Sequence, residues 1–399
     1  ILFLTDNYPP EVNAPATRTF ENATQWIRAG HAVTVLTCAP NSPVGRVFRG
    51  YRNLPFSVCY EGGVRVIRVW SYIARNAGFF KRIVDYASYA MSASLVAPFL
   101  SFDVLVATSP QFFTAVAGWW VATIRQRPWA FEVRDLWPES IKSVGAMKEG
   151  AVIRMLERLE LFLYRQASRV VTVTNAFRRD LVFRGIRRGK IAVVPNGANT
   201  HLFVPRETDE DSARRMGLGS KPIVGYLGTH GMAHALDFVI KAARKRPDVD
   251  FVFVGDGAEK SRLERIASAA TNVHMFDSVP KHDVPRVLSV FDYALVNLRD
   301  APTFRTVIPS KIFESAAMEI PLLLGVDGEV RQLVERYGAG LAYAPEDEPS
   351  FLRTVDRAVA LLSTDEYRAM QQGCRRLADD YDRRRLAGKM LSELQSLML

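Results

Sequence analysis

The chain has 399 residues, 48% of them hydrophobic and 24% charged, with a mean hydropathy near zero. That composition excludes disordered and fibrous chains, and the length suits two domains of about 200 residues each. Residues 1–205 carry 25 Lys+Arg against 13 Asp+Glu, whereas residues 206–399 carry 27 against 29. The whole positive excess therefore lies in the first half, with all six tryptophans: Trp26, Trp70, Trp119, Trp120, Trp129 and Trp137. Such a half is expected to meet something anionic, namely a phospholipid surface, a nucleic acid or a pyrophosphate-bearing substrate. No helix-turn-helix, RNP or zinc-finger pattern accompanies the charge, which sets nucleic acid aside. Three scattered cysteines, Cys38, Cys59 and Cys374, exclude a disulfide framework and a CxxC zinc site and fit reduced thiols in a cytosolic protein. The chain opens at Ile1 inside an apolar run, which predicts upstream residues and argues against a cleaved secretory leader.

Residues 1–5 read as an apolar strand running into the turn Asp6-Asn7-Tyr8-Pro9-Pro10. Helical spacing follows at Phe20, Ala23, Trp26 and Ile27 and stops at Gly30, before a second apolar strand at 31–37. Buried, non-alternating strands joined by a helix mark a parallel sheet. Residues 76–102 start aromatic and basic, with Phe79, Phe80, Lys81 and Arg82, and continue apolar through Tyr86, Tyr89, Met91 and Leu95. Two readings stand for them: docking on a lipid surface, or a core helix. The longest uncharged stretch, 104–124, is broken by Thr108-Ser109-Pro110-Gln111, which argues against a membrane-crossing helix. Trp119 and Trp120, on its apolar helix, are expected in the core. Further strands are predicted at 103–107, 129–133, 169–174 and 191–194. Arg178, Arg179, Arg184, Arg187, Arg188 and Lys190 read as a solvated face, with anionic membrane contact as the alternative.

Pro195-Asn196-Gly197 is a turn, and residues 207–220 have the composition of a linker. The strand pattern restarts at 223–227, 250–254, 273–276, 293–296 and 321–325, and residues 365–399 read as amphipathic helix. Two doubly wound α/β units follow, at 1–205 and 206–379.

Gly225-Tyr226-Leu227-Gly228-Thr229-His230-Gly231 follows a strand and opens a helix, where glycines let backbone approach a phosphate. A second glycine turn, Gly255-Asp256-Gly257, also follows a strand, so both lie on one sheet edge. In the segment from Thr303 to Glu314, Pro309-Ser310 reads as a helix start, with Lys311 in the first turn and Glu314 one turn on. A carboxylate suits a ribose diol and a lysine near a helix N-terminus suits a diphosphate. Against this stands a plainer reading: Ser310 as a cap and a surface Lys–Glu pair. No DxD follows a strand, and no HExxH or His–Cys cluster occurs, so no metal is expected.

Taken together, Val194-Pro195-Asn196-Gly197-Ala198 with Phe203, the loop 225–234, Gly255-Asp256-Gly257 and the run Pro309 to Glu314 resemble the motifs of glycosyltransferase family 4, in that order and spacing. Asn7-Tyr8-Pro9-Pro10-Glu11 and Arg134-Asp135-Leu136-Trp137-Pro138-Glu139-Ser140 resemble its WbuB-like subgroup of surface-polysaccharide transferases. The resemblance implies a GT-B fold, retention at the anomeric carbon, a nucleotide-sugar donor, and a final helix, about 380–399, packing back on the first domain. Donor contacts then fall on Gly228, Thr229, His230, His234, Gly255, Asp256, Gly257, Arg305, Thr306, Ile308, Pro309, Ser310, Lys311 and Glu314. Acceptor or membrane contacts fall on Asn13, Phe79, Phe80, Lys81, Arg82 and Trp137. The chain departs from the family pattern in three places. Thr306 stands where a first glutamate is usual, Thr229 and His234 replace an Arg–Lys pair, and Arg134, followed by Asp135, replaces a histidine facing the sugar. Lys311 and Arg305 are expected to restore the missing charge. The implied protein is a cytoplasmic, membrane-peripheral enzyme using a UDP-sugar, with uracil over guanine resting on family habit alone. Its acceptor is a lipid-diphosphate-linked saccharide, and no cofactor is needed. A non-hydrolysing UDP-sugar 2-epimerase and a non-catalytic nucleotide-sugar-binding protein are the rival readings.

Overall fold

Strands that are apolar on both faces must be covered by helices on both faces, and the chain folds accordingly. The computed structural model describes residues 1–42, 45–73, 79–109, 112–136 and 150–398. Two units partition it: Ile1–Pro195 with Arg384–Leu399, and Asn196–Arg383. Unit 1 holds 28 Lys+Arg against 14 Asp+Glu, and unit 2 holds 24 against 28.

Unit 1 runs β1 (Leu2–Leu4), α1 (Ala14–Arg28), β2 (Thr34–Cys38), β3 (Phe56–Glu61), β4 (Val64–Val69), α2 (Phe79–Val96), β5 (Leu105–Thr108), α3 (Phe112–Arg125), β6 (Trp129–Val133), α4 (Ala151–Gln166), β7 (Arg169–Thr172), α5 (Asn175–Phe183) and β8 (Ile191–Val193). Its sheet has the order β3-β4-β2-β1-β5-β6-β7-β8. Every described pair is parallel except β3 with β4, a hairpin turned by Gly62-Gly63. The order reverses at β1, so the loops after β1 and β5 flank the switch point at which such sheets bind ligands. α1 is capped by the Asn13 side chain, which accepts from Ala16 N at 2.9 Å.

Unit 2 runs α6 (Glu210–Arg215), β9 (Ile223–Leu227), α7 (Leu236–Ala243), β10 (Asp250–Val254), α8 (Lys260–Ala267), β11 (Val273–Phe276), α9 (Val284–Leu288), β12 (Tyr293–Asn297), α10 (Lys311–Ala317), β13 (Leu322–Gly325), α11 (Glu329–Tyr337), β14 (Gly340–Ala342), α12 (Glu348–Leu361) and α13 (Asp365–Asp380). The sheet is parallel, in the order β11-β10-β9-β12-β13-β14. Its switch point lies between β9 and β12, whose outgoing loops are the glycine loop and the segment leading to Lys311. The chain then returns to unit 1 as α14 (Arg383–Gln395). Leu386, Met390, Leu391 and Leu394 of α14 join the core around Trp26, whose Nε1 donates to Ala387 O at 2.9 Å.

Several expectations need correction. The boundary falls at 195/196, not 205/206, because Ala198 and Phe203 are buried in the unit 2 core with Ile312 and Phe313. Residues 207–220 are not a linker: Asp209 caps α6 by accepting from Ser212 N and pairs with Arg286 Nε at 2.8 Å. The last amphipathic stretch is broken after Asp380, and unit 1 takes it up only from Arg384. Trp120 is no core residue but 48% exposed, whereas Trp119 packs edge-on against Phe162. Trp137 lies outside the described residues. Phe79, Phe80 and Arg82 fall within α2, but their side chains lie outside the described set. Among the described residues, no helix is long and apolar enough to cross a membrane.

Trp26 is fully buried and stacks 5.9 Å from Phe3. Trp26→Ala should therefore destabilise unit 1 by about 3–5 kcal/mol, checked by denaturant unfolding; a loss within the scatter of surface variants would contradict the docking of α14 on this core.

Candidate functional site

Two sets of polar residues gather at the carboxyl ends of the two sheets, and each is built within its own unit. In unit 2, the loop after β9 rises through Gly228 and Thr229 to His230, which is fully buried. The loop after β10 lies directly on it: a Cβ on Gly255, at φ +153°, would sit 1.9 Å from Gly228 O. Only glycine allows that approach. His230 N donates to Asp256 O at 2.8 Å and Glu259 N donates to His230 O at 2.9 Å, locking the two loops. Asp256 is exposed and folds back to accept from Gly257 N at 2.7 Å. Asn297, at the end of β12, donates to His234 O at 2.8 Å and accepts from Tyr343 OH at 2.7 Å.

The Lys311 ammonium closes this edge. Nζ lies 3.7 Å from the centre of the Tyr226 ring and 3.0 Å from where a Cβ on Gly228 would be. Tyr226 is held by its own hydroxyl, which donates to Thr229 O at 2.7 Å. Among the described residues Lys311 Nζ has no hydrogen-bond partner, nor do both ring nitrogens of His230 and the Nδ1 of His234. Burial pushes the Lys311 amine down to about 7 against a partial lift from Glu314. Burial, assisted by nearby Lys260 and Lys311, lowers His230 to about 4, and burial with Lys311 does the same for His234. Four buried nitrogens without partners cost the fold free energy, and an anion among them would recover part of it by accepting from the Lys311 ammonium and from imidazole N–H groups.

The remaining expected contacts surround this centre unevenly. Ser310 makes no side-chain capping bond, so the plainer reading of it as a cap fails. Ile308 is buried in the core, with Pro309 O accepting from Ile312 N at 3.2 Å. Thr306 donates to Thr303 O at 2.8 Å and so closes the turn Pro302–Thr306. Arg305 is exposed and paired with Asp300 at 3.0 Å, which draws its charge away from Lys311. Glu314, one turn beyond Lys311, is half-buried and stands 3.8 Å from Arg383 Nη2.

In unit 1 the ends of β5 and β6 carry the other set. Glu132, within the buried strand β6, lies 3.4 Å from Arg18 Nε and 3.3 Å from Arg134 Nη1, and also accepts from Thr108 Oγ1. Burial alone would raise its carboxyl, but Arg18 and Arg134 outweigh that and hold it below the usual range. The backbone N–H groups of Arg134 and Asp135 both donate to Ser109 Oγ, at 2.7 and 3.3 Å. Burial raises the Asp135 carboxyl against the pull of Arg134 and Arg18. Asn13 also donates to Asn7 Oδ1 at 2.6 Å, so its side chain serves the start of α1 on both sides. Lys81 is exposed on α2. Sequence reasoning missed Arg18, Glu132, Tyr226 and Arg383. The lone carboxylate in the apolar strand Trp129–Val133 was the available signal, since such a group needs a cation. Among the described residues no three His, Cys, Asp or Glu side chains gather as a metal ion would require.

Two family models match this chain: the glycosyl transferase 4-like domain over residues 13–197, and glycosyl transferases group 1 over residues 221–360. Each unit thus matches a glycosyl transferase domain model, and the chain has the GT-B fold. It is 24% identical over 242 residues to the probable glycosyltransferase WbjE of Pseudomonas aeruginosa, covering 58% of this chain and 60% of that one. The chain thus spans about 60% of that relative's length. Among solved structures it resembles a sucrose-phosphate synthase from Thermosynechococcus elongatus, with a TM-score of 0.78, 15% identity and 99% and 98% of the two chains covered. Anabaena Alr3699/HepE, solved in complex with UDP and glucose, superposes with a TM-score of 0.73 at 16% identity, covering 99% of each chain.

The Lys311 amine supplies a prediction with a definite sign. Its folded value, about 7, lies below the ordinary 10.5. The unfolded chain therefore holds the extra proton between these limits, and the cost of burying the amine is full below pH 7 and fades as pH rises. Lys311→Met should raise the unfolding midpoint most at pH 6 and progressively less towards pH 10. A gain independent of pH would contradict the burial of the ammonium.

Proposed function

We propose that the chain is a retaining, metal-independent glycosyltransferase that takes a sugar from a UDP-linked donor bound by unit 2. The observation that carries this is the Lys311 ammonium, buried without a hydrogen bond beside Gly228, with Glu314 one turn further along α10. A diphosphate satisfies Lys311 and accepts from backbone N–H groups at Thr229, Gly231, Ser310 and Lys311, while Glu314 accepts from the ribose hydroxyls. UDP is favoured because Anabaena Alr3699/HepE, which shares the fold, was solved with UDP.

Departure of the nucleoside diphosphate leaves negative charge on phosphate oxygens, and fixed donors stabilise it as it develops. Removing one such donor costs about 2.7–4 kcal/mol in the barrier. His230 and His234, neutral at pH 7, contribute ring N–H or lone pairs and no charge. In unit 1, Arg134 and Asp135 are the residues proposed to face the transferred sugar or the acceptor.

The acceptor is read as a lipid-diphosphate-linked saccharide and the sugar as a hexosamine or derivative, in a bacterial surface-polysaccharide pathway of the WbuB-like kind. Unit 1, with 28 Lys+Arg against 14 Asp+Glu, supports an anionic acceptor and a place on the inner face of the plasma membrane. A sugar-nucleotide epimerase has no use for that excess.

Glu314→Ala should weaken UDP binding in calorimetry with little change in the unfolding midpoint, because its side chain is only half-buried and its ion pair with Arg383 is long, at 3.8 Å. Equal affinity in parent and variant would remove the ribose assignment. Binding a diphosphate should also recharge Lys311, so that UDP binding takes up a proton above pH 7 and weakens from pH 7 to 9. Calorimetry in buffers of different ionisation enthalpy reads that proton directly. Proton NMR with a panel of UDP- and GDP-sugars tests the activity. Release of free sugar that first carries the donor's anomeric configuration is the expected outcome, whereas conversion into a 2-epimer would make the chain an isomerase.

A further inference from the structure

A helix lying on a sheet ordinarily turns its polar side to water, and α2 and α3 do the opposite. Along α2, Val84, Met91 and Leu95 recur at i, i+7 and i+11, which places them on one stripe, and they are 50%, 61% and 68% exposed. Phe99, one turn further on in Ala97–Phe99, is 86% exposed. On α3, Trp120 and Ile124 are spaced i, i+4 and are each 48% exposed. The inner faces of both helices are already committed, since Tyr89, Ala93, Ala115 and Val121 are buried in the unit 1 core.

The two stripes are neighbours. α2 and α3 pack on one another, and Arg125 Nη1 at the end of α3 donates to Pro98 O at 2.5 Å in the turn after α2. No charged residue occurs in 86–102 or in 112–124. Charge is kept to the margins: Lys81 is exposed near the start of α2, Arg127 just beyond α3, and Arg154 and Arg158 on α4. Residues 79–127 hold four cations against two carboxylates, Asp85 and Asp103.

We propose that the outer face of α2 and α3 docks on an anionic phospholipid bilayer, with Met91, Leu95, Phe99, Trp120 and Ile124 entering the interface and the flanking cations meeting headgroups. The same charge that attracts such a surface repels a second copy of unit 1, so self-association through this face is disfavoured. An indole at the rim of an apolar patch suits the headgroup boundary, where its ring is buried and its N–H stays wet. The proposal deepens the reading of a lipid-linked acceptor, because it names the surface that would bring unit 1 to such a substrate.

Flotation of the full chain with phosphatidylcholine vesicles, with and without phosphatidylglycerol, tests it. The parent is expected to float with the anionic vesicles, and less so as salt rises. The double variant Leu95→Glu/Phe99→Glu should lose at least about tenfold in partitioning, with its unfolding midpoint preserved because both positions are exposed. Lipids brominated in the acyl chain should quench parent fluorescence, and Trp120→Phe should remove part of that quenching. A double variant that floats like the parent would overturn the proposal. So would a parent that ignores lipid but sediments as a dimer which the double variant abolishes. UDP titration of the same samples separates the two readings: a parent that floats yet takes no UDP sinks the donor site and leaves the docking face standing.

Discussion

The Lys311 ammonium, packed on the Tyr226 ring and held out of water, is the contact around which the carboxyl edge of unit 2 is organised. Its position requires Gly228 to lack a side chain and Tyr226 to stand upright, which the bond from Tyr226 to Thr229 secures. It also requires the loops after β9 and β10 to touch, which only a glycine at 255 permits. The histidines follow from the same constraint. Burial, aided by the lysine beside them, holds them neutral, so the pocket has one titratable positive charge instead of three. The site is consequently polar and only weakly charged before anything binds, and its full electrostatic strength belongs to the complex.

Unit 1 solves the opposite problem. It carries a large excess of cations, yet at its sheet edge the positive charge is bracketed around one carboxylate, Glu132, between Arg18 and Arg134. Removing either guanidinium would leave a buried anion half-compensated, which is far more costly than losing a surface pair. Arg134 thus holds Glu132, and the face proposed to meet the sugar or acceptor is built on that pair.

Much of this was legible in the sequence, for reasons that are particular. The parallel strands were visible because strands such as Tyr293–Asn297 are buried on both faces and so read as unbroken apolar runs. The hairpin of β3 and β4 was missed: β3 is an edge strand whose exposed residues are Phe56, Val58 and Tyr60, so its alternation is inverted relative to the usual rule. Gly62-Gly63 was the turn signal to use. The domain seam was placed ten residues late because polar composition was taken for a linker, when the decisive fact was the burial of Ala198 and Phe203. In the candidate site the glycine loops, Lys311 and Glu314 could be picked out by motif. The ring under the lysine and the arginine facing Glu314 come from β9 and the start of α14, and only the folded chain brings them there. Trp120 was misplaced because an apolar helix was assumed to bury all its apolar residues.

The return of the chain to unit 1 has an effect on how the molecule comes into being. Unit 2 is inserted between β8 and α14, entering at Asn196 and leaving at Arg383. At the crossing, Ala198 bridges to Asp382, Ala198 N donates to Tyr381 O and Arg383 N donates to Ala198 O. On the ribosome, unit 2 is therefore complete and able to fold while the surface around Trp26 still awaits Leu386, Met390 and Leu394. The half of the protein made first is the half finished last, and until residues 384–395 emerge its open core and its apolar outer helices are bare together.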